Sequence, residues 1–384
     1  MNFSRLVLPG ITMIAVTYGL ARFSYGLLLP DMNESLDMSE FVSGVISSLF
    51  YLAYCFTIVL STVITTREGP RKMILAAGLS AFLGLLLMSV TPNTWILAFG
   101  VLFAGGSTGL VSPPYGAAIS LWINRNQQGK ANTWINSGTS LGIVLSGLGS
   151  ILLTPNWRLT YFIYAILTLL VLIWNFRTIP KVAAKSSAMF QKGNLSIRGV
   201  KGAIPLILAS LILGISTAAF WTFSRSFIEV SGNYSDWQLS GFWVAIGLFG
   251  ILGGFSGSLI EKAGLSFAYK LGALSIALAS MILAIAPANW FVSYLSASVF
   301  GGSYIFLTGV LLVWGIHVFI TNASLGIGIP FLLLAVGQVI GSSFAGLLIS
   351  EWGYVISFIL YGFVGILAAF IAPKKISKYS PVNN

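Results

Sequence analysis

Residues Trp95-Ile-Leu-Ala-Phe-Gly-Val-Leu-Phe-Ala-Gly105-Gly106-Ser107 return, one residue longer, as Trp290-Phe-Val-Ser-Tyr-Leu-Ser-Ala-Ser-Val-Phe-Gly301-Gly302-Ser303. A proline stands three residues before each tryptophan, Pro92 and Pro287, and a long apolar run follows in both places. The offset of 195 also relates Gly19 to Gly214, Gly142 to Gly337 and Trp157 to Trp352, and it brings Gly69 onto Gly264. Matches this many, in order and at one shift, mark an internal duplication of parallel repeats.

What is duplicated is a set of membrane spans. Of the 384 residues 57% are hydrophobic and only 8% charged, against about 25% charged in ordinary globular proteins. So few charges cannot cover a water-facing surface of this size, and the excess apolar surface is left for lipid. A spanning helix takes about 20 apolar residues. Such runs fall at 6–30, 42–65, 73–91, 95–122, 131–153 and 158–176, then at 203–227, 239–260, 266–286, 290–314, 325–349 and 353–372. The expectation is an all-α membrane protein with twelve transmembrane helices in two parallel six-helix repeats. An N-terminal bundle spans 1–176, a basic linker 177–201, and a C-terminal bundle with a short tail 202–384.

Charge sets the orientation. Placing the N-terminus inside puts 17 of the 20 lysines and arginines on the cytoplasmic side, among them Arg5, Arg67, Arg71, Lys72, Arg125, Lys130 and the six of the linker. The opposite side collects Asp31, Glu34, Asp37, Glu40, Glu229, Asp236 and Glu351. By the positive-inside rule both termini are expected in the cytoplasm of a multi-pass cell-membrane protein. The net charge of +11 lies in short gaps between spans rather than in a basic stripe, which argues against nucleic acid as a partner. The first apolar run is longer than a signal-peptide core and lacks a small-residue cleavage site, so no cleaved leader is expected. Cys55 is the single cysteine; His317 is the single histidine and is expected in a loop after the tenth span. With no cluster of His, Cys, Asp or Glu there is no basis for an enzyme, a cofactor or a metal site.

After the eighth span the chain reads Gly257-Ser-Leu-Ile-Glu261-Lys262-Ala-Gly264. This resembles the G-x-L-x-[DE]-[RK]-x-G loop of the major facilitator superfamily, with Thr66-Arg67-Glu68-Gly69-Pro70-Arg71-Lys72 as its first-half counterpart. The opening Gly19-Leu-Ala-Arg22-Phe23-Ser-Tyr25-Gly-Leu-Leu-Leu-Pro30-Asp-Met resembles that of YbfB/YjiJ-type facilitators. The resemblance implies the major facilitator fold and a secondary active transporter working by alternating access, with the first helix lining a central cavity. It implies a gate at the cytoplasmic loops, with Glu261, Lys262, Arg67 and Arg71 as its residues, and Glu261 held by a basic or helix-terminal partner in the second half. Three positions depart from the family's patterns: Thr66 replaces the loop acid, Leu102 lies where proton-coupled members carry an arginine, and Ile143 replaces the exporter proline.

Arg22 is the most informative residue, because a charge deep in a span is expensive unless it faces a polar cavity. It lies about 12 Å along the helix from Pro30 at 1.5 Å per residue. Tyr18 and Tyr25, four before and three after, share its face. The alternative is an arginine that pins helix packing. Further substrate-contact candidates are Tyr115 beside Pro113-Pro114, Asn136 on the fifth span, Trp221 on the seventh, Tyr304 on the tenth and Gln338 on the eleventh. Thr217 occupies the position equivalent to Arg22, and Arg225 is read as an interfacial anchor or outer-gate residue. Small residues on the fifth span (Gly138, Gly142, Ser146) and the eighth (Gly250, Gly254, Ser258) predict a close contact between the halves.

The functional expectation is export of a small organic anion or amphipathic metabolite by a monomer, with the proton as assumed coupling ion. Import of a small anion, or a receptor role without transport, is the alternative.

Overall fold

The computed structural model describes residues 2–153, 156–181, 200, 202–320 and 323–373. The linker basics Lys185, Lys192, Arg198 and Lys201 and the tail lysines 374, 375 and 378 lie outside the described residues. The first six helices are α1 (Phe3–Leu36), α2 (Glu40–Glu68), α3 (Pro70–Ser89), α4 (Thr94–Trp122), α5 (Gln128–Leu153) and α6 (Trp157–Thr178). The second six are α7 (Ala203–Ser231), α8 (Asp236–Ala263), α9 (Leu265–Ile285), α10 (Trp290–Val318), α11 (323–352) and α12 (354–370).

The last two helices run together except at Gly353, whose φ of 78° and ψ of 173° break the helical path. An unbroken helix over 323–370 would reach about 72 Å, more than twice the ~30 Å hydrocarbon thickness. Gly69 and Gly264 adopt the same conformation, φ 82° and 88°, between α2 and α3 and between α8 and α9. A side chain is strained in that region, so one glycine per turn reverses the chain with no loop. The expected twelve crossings are therefore present, and they run longer than expected: α1 extends to Leu36 and α7 to Ser231. Asp31 and Glu229 accordingly lie on helices rather than in loops. His317, expected in a loop, lies in the last turn of α10.

Glycine contacts carry the repeat into three dimensions. A Cβ on Gly19 would fall 2.1 Å from the Gly142 carbonyl carbon, and one on Gly214 would fall 2.1 Å from the Leu334 oxygen and 3.0 Å from Gly337 Cα. The α1–α5 and α7–α11 crossings are thus the same contact at the same offset. Gly105 against Phe50 and Gly301 against Ile246 repeat the relation for α4–α2 and α10–α8. Each crossing brings two backbones within reach only because no side chain intervenes.

Between the repeats, α1 meets α7, α2 meets α11, and α5 meets α8. At the ends bearing the acidic residues these seams are closed. Gly26 abuts the Trp221 carbonyl, Gly44 the Ser342 carbonyl, Gly346 the Glu40 carbonyl, and Gly147 the Val244 side chain. Gly247 packs on Val144, Gly250 on the Ser140 hydroxyl, and Ser240 donates to Ser150 at 3.1 Å.

Toward the basic end the α5–α8 seam opens. Helix α8 tightens to a 3-10 turn over Ile251–Phe255, and a Cβ on Gly254 within that turn or on Gly257 beyond it would meet nothing within 4 Å; nor would one on Gly129 of α5. The seam thus follows a different set of small residues from the one expected. Gly138 and Gly142 pack on α1 at Ile11 and Ala15, and Gly254 stands free; only Gly250 of the expected glycines touches the other half.

Gly214→Ala places a methyl against backbone and should cost about 1–3 kcal/mol, the usual range for overpacking. Gly254→Ala meets open space and should leave thermal melting of the purified protein unchanged. Equal melting for the two variants would contradict these contacts.

Candidate functional site

Helix α1 departs from α-helical geometry over Ala15–Phe23, where its turns widen to the π form, and Arg22 lies in that stretch. Such local widenings occur frequently at functional sites. Arg22 is 7% exposed, and none of the ion pairs among the described residues includes it. Its surroundings are aromatic. The guanidinium carbon lies 4.5 Å from the Tyr51 ring centre, 5.2 Å from Phe23, 5.4 Å from Tyr54 and 5.8 Å from Tyr18. Each ring face attracts the cation by roughly 0.5–2 kcal/mol depending on desolvation. That attraction offsets part of the cost of burying a charge and supplies no counter-charge.

The guanidinium is tied to the other half of the molecule through one amide. Arg22 Nη2 donates to Gln338 Oε1 at 3.3 Å, while Gln338 Nε2 faces Tyr304 Oη at 3.3 Å and Thr217 Oγ1 at 3.5 Å. Thr217 is the position equivalent to Arg22 in the second repeat, and Gln338 is equivalent to Ile143 in the first. The two repeats place different chemistry on one backbone frame: a cation and an aliphatic residue in the first, a hydroxyl and an amide in the second. Arg22 Nε has no hydrogen-bond partner among the described residues.

Trp221 closes the wall. Its ring stacks on Phe23 at 4.1 Å across the seam and meets Tyr304 edge-on at 5.0 Å, with Phe300 and Trp243 beside it. Tyr18 shares a 3.0 Å hydrogen bond with Ser112, which sets its ring beside the guanidinium. The structure thus gathers Arg22, Tyr18, Trp221, Tyr304 and Gln338 of the expected contacts, and it adds Tyr51, Tyr54, Phe23 and Thr217.

Tyr25, Tyr115 and Asn136 are placed elsewhere. Tyr25, a turn nearer the acidic end, donates to the Ser43 carbonyl at 3.1 Å and packs edge-on against Phe50. Tyr115 donates to Asn175 Oδ1 at 2.5 Å, and Asn175 in turn holds the Pro9 carbonyl at 3.2 Å, a tie among α4, α6 and α1. Asn136 is exposed on the open part of the α5–α8 seam and bonds within its own helix to Asn132.

The expected gate residues are disengaged or serve their own half. Glu261, Lys262 and Arg67 are exposed and form no ion pair among the described residues. Arg71 caps the end of α6, donating to the Phe176 carbonyl at 2.7 Å and to the Ile179 carbonyl. Positive charge is favourable at that helix end.

The opposite end carries an ion-pair cluster that bridges the halves. Arg225 is 1% exposed; its Nη1 donates to Glu229 at 2.6 Å and its Nη2 lies 3.6 Å from Asp31 on the other half. Arg225 is thus buried between the two halves rather than placed in the lipid interface. Beneath it Ser47 and Thr222 share a 2.8 Å hydrogen bond between the halves.

A family model described as the Major Facilitator Superfamily matches residues 11–324. Monocarboxylate transporter 11 of Homo sapiens is 29% identical over 147 residues, 38% of this chain and 29% of that protein's length. The Mus musculus protein of the same name is 28% identical over 143 residues, 36% of this chain and 30% of its own length. Among solved structures, a POT family transporter in complex with 5-aminolevulinic acid superposes with a TM-score of 0.75 at 15% identity, covering 94% of this chain and 95% of that one. A variant of the nucleoside transporter NupG gives a TM-score of 0.75 at 14% identity, covering 95% and 98%.

If Arg225 and Asp31 hold the acidic end shut, Asp31→Asn should open it. Leaving a buried charge wholly unpaired costs about 3–5 kcal/mol; Arg225 keeps Glu229, so the loss here is smaller, but ~1.4 kcal/mol is already tenfold in an equilibrium. With Cys55 replaced by alanine, Ser47→Cys should then react with an impermeant maleimide applied at the acidic end at least ~10-fold faster than with Asp31 intact. An unchanged rate would remove Arg225 and Asp31 from the closure.

Proposed function

Because the chain belongs to the Major Facilitator Superfamily and is an integral multi-pass membrane transporter, we propose that it carries a small organic anion by alternating access. One observation carries this reading: a buried guanidinium, walled by aromatic rings, with no carboxylate paired to it among the described residues. In a low-dielectric interior a lone cation is a standing cost that a bound anion relieves. A planar carboxylate can take two parallel N–H bonds from the guanidinium fork, roughly twice as strong as neutral hydrogen bonds. The single guanidinium suits a monoanion, and the rings of Tyr51, Tyr54 and Trp221 suit an apolar body attached to it. The name of the monocarboxylate transporter relatives points to the same class.

Arg22 belongs to the N-terminal bundle and Gln338, Tyr304, Trp221 and Thr217 to the C-terminal one, the division at 176 and 202 that the duplication suggests. The anion would displace the Gln338 amide oxygen from Arg22, so that binding is felt by both halves at once. With the basic end in the cytoplasm, the conformation is one sealed outside and open inside. Closing the inner seam would carry Glu261 toward the start of α5, where the helix N-terminus and Lys130 favour a carboxylate. On this reading its partner lies in the first half, where the resemblance implied one in the second. The proton is the proposed coupling ion, with Asp31 and Glu229 as the carboxylates available to it at the outer end. Export is the proposed direction, since aromatic walls suit an amphipathic metabolite.

In proteoliposomes Arg22→Lys, which keeps charge and loses the planar fork, should reduce monocarboxylate flux about tenfold, and Arg22→Gln should bring it to background. Both should melt within a few degrees of the parent if the residue serves substrate rather than packing. Gln338→Glu, which supplies a fixed carboxylate to Arg22, should also abolish anion flux while raising the melting temperature. Stable Arg22→Gln protein with undiminished anion flux would sink the proposal.

A further inference from the structure

A second basic site lies away from the central one, on the flank of the bundle at its basic end. The first turn of α1 and the last turn of α6 enclose a groove of about 410 Å³ whose walls include Ser4, Arg5, Leu8, Trp174, Arg177 and Thr178. We propose that this groove binds the headgroup of an anionic phospholipid, seated between Arg5 and Arg177 in the leaflet at the basic end.

The charge of the groove is uncompensated. Among the described residues no carboxylate lines it, and neither arginine forms an ion pair. Glu68, at the same end of the bundle, is already taken by Lys72. Arg71, otherwise a third competitor for an anion, is engaged by the carbonyls at the end of α6. Two guanidiniums that line one concave surface without an acid suit a phosphodiester by charge and by hydrogen-bonding capacity.

The helix ends add to it. Helix α1 begins at Phe3 with no side-chain cap from Asn2, so the positive end of its dipole lies at the same helix end as Ser4 and Arg5.

The groove continues into an apolar track that runs from the basic end toward the bilayer centre, where the upper part of an acyl chain would lie. Trp174 and Leu8 are 41% and 51% exposed at its inner edge. One and two turns deeper on α6, Leu170 and Leu167 continue the exposed stripe at 58% and 44%. A tryptophan at the level where charge gives way to aliphatic side chains is the usual arrangement of a membrane interface. A soluble anion would use only the upper part of this surface; a lipid uses both, which is why the assignment is to a lipid and not to free phosphate.

The test uses the full-length protein in detergent, titrated with phosphatidylglycerol, with phosphatidylcholine, and with inorganic phosphate at matched concentration. Lipid adducts are read by native mass spectrometry and stability by thermal melting. Phosphatidylglycerol should be retained at least ~10-fold over phosphatidylcholine and raise the melting temperature by several degrees, while inorganic phosphate does neither. Arg5→Gln and Arg177→Gln should each weaken retention, and the double variant should bring it to the phosphatidylcholine level, whereas Lys270→Gln, on the exposed face of α9, leaves it unchanged. Equal retention of the two lipids by the parent protein overturns the proposal without recourse to any variant. So does full retention by the double variant, and so does a melting shift with inorganic phosphate as large as with the lipid.

Discussion

A guanidinium inside a bundle that spans a bilayer must be solvated by something, and in this protein the solvation is supplied by rings and one amide. That constraint organises the middle of the molecule. The faces of Tyr18, Tyr51 and Tyr54 surround Arg22, and the hydrogen bond between Tyr18 and Ser112 fixes one of them in place. From the other half it is Gln338, a neutral amide, that reaches across to the cation. Aromatic attraction and a neutral acceptor hold the charge without neutralising it, which leaves the site both formed and unsatisfied.

The duplication explains how such a site is assembled from one plan. Gly19 on Gly142 and Gly214 on Gly337 set the same crossing in each half, so the backbone frame around residue 22 recurs around residue 217. What the repeats do not share is the chemistry carried on that frame. Arginine at 22 answers to threonine at 217, and isoleucine at 143 answers to glutamine at 338. The twofold frame gives the halves a common geometry for rocking, and the broken symmetry of its side chains gives the pathway one polar pole. The outer end is asymmetric in the same way. Arg225 of the second repeat pairs with Asp31 of the first, while their counterparts at the offset of 195, Pro30 and Ser226, carry no charge.

Much of this was legible in the chain. The spans, the offset of 195, the turn glycines at 69 and 264 and the singular position of Arg22 follow from hydropathy and spacing, because bilayer thickness and helix pitch leave little freedom. The site was legible in part. Arg22, Tyr18, Trp221, Tyr304 and Gln338 were recognisable as polar or aromatic groups in apolar helices. Tyr51 and Tyr54 were not, although their spacing of three puts them on one face, because α2 is apolar all round and its sequence does not say which face turns inward. The pairing of Arg225 was hidden because hydropathy ends a span where charge begins, whereas α1 and α7 run on past that point. Helix α5 has two small-residue faces, one for α1 and one for α8, and spacing alone does not tell them apart.

The empty surroundings of Gly129, Gly254 and Gly257 carry a consequence of their own. On α5, residues 147, 144 and 140 form the closed seam, and the same helical stripe continues through Asn136, Thr133 and Gly129. On α8 the stripe of Gly247 and Gly250 continues through Gly254 and Gly257 to Glu261. A bare backbone is costly in a helix and is kept where another backbone comes close. These glycines have no such neighbour in this structure, and on the alternating-access proposal they are the mould of the surface formed when the inner seam closes. Under the alternating access proposed above, the chain would store the docking geometry of both ends of its cycle in a single stripe, one part filled and one part waiting.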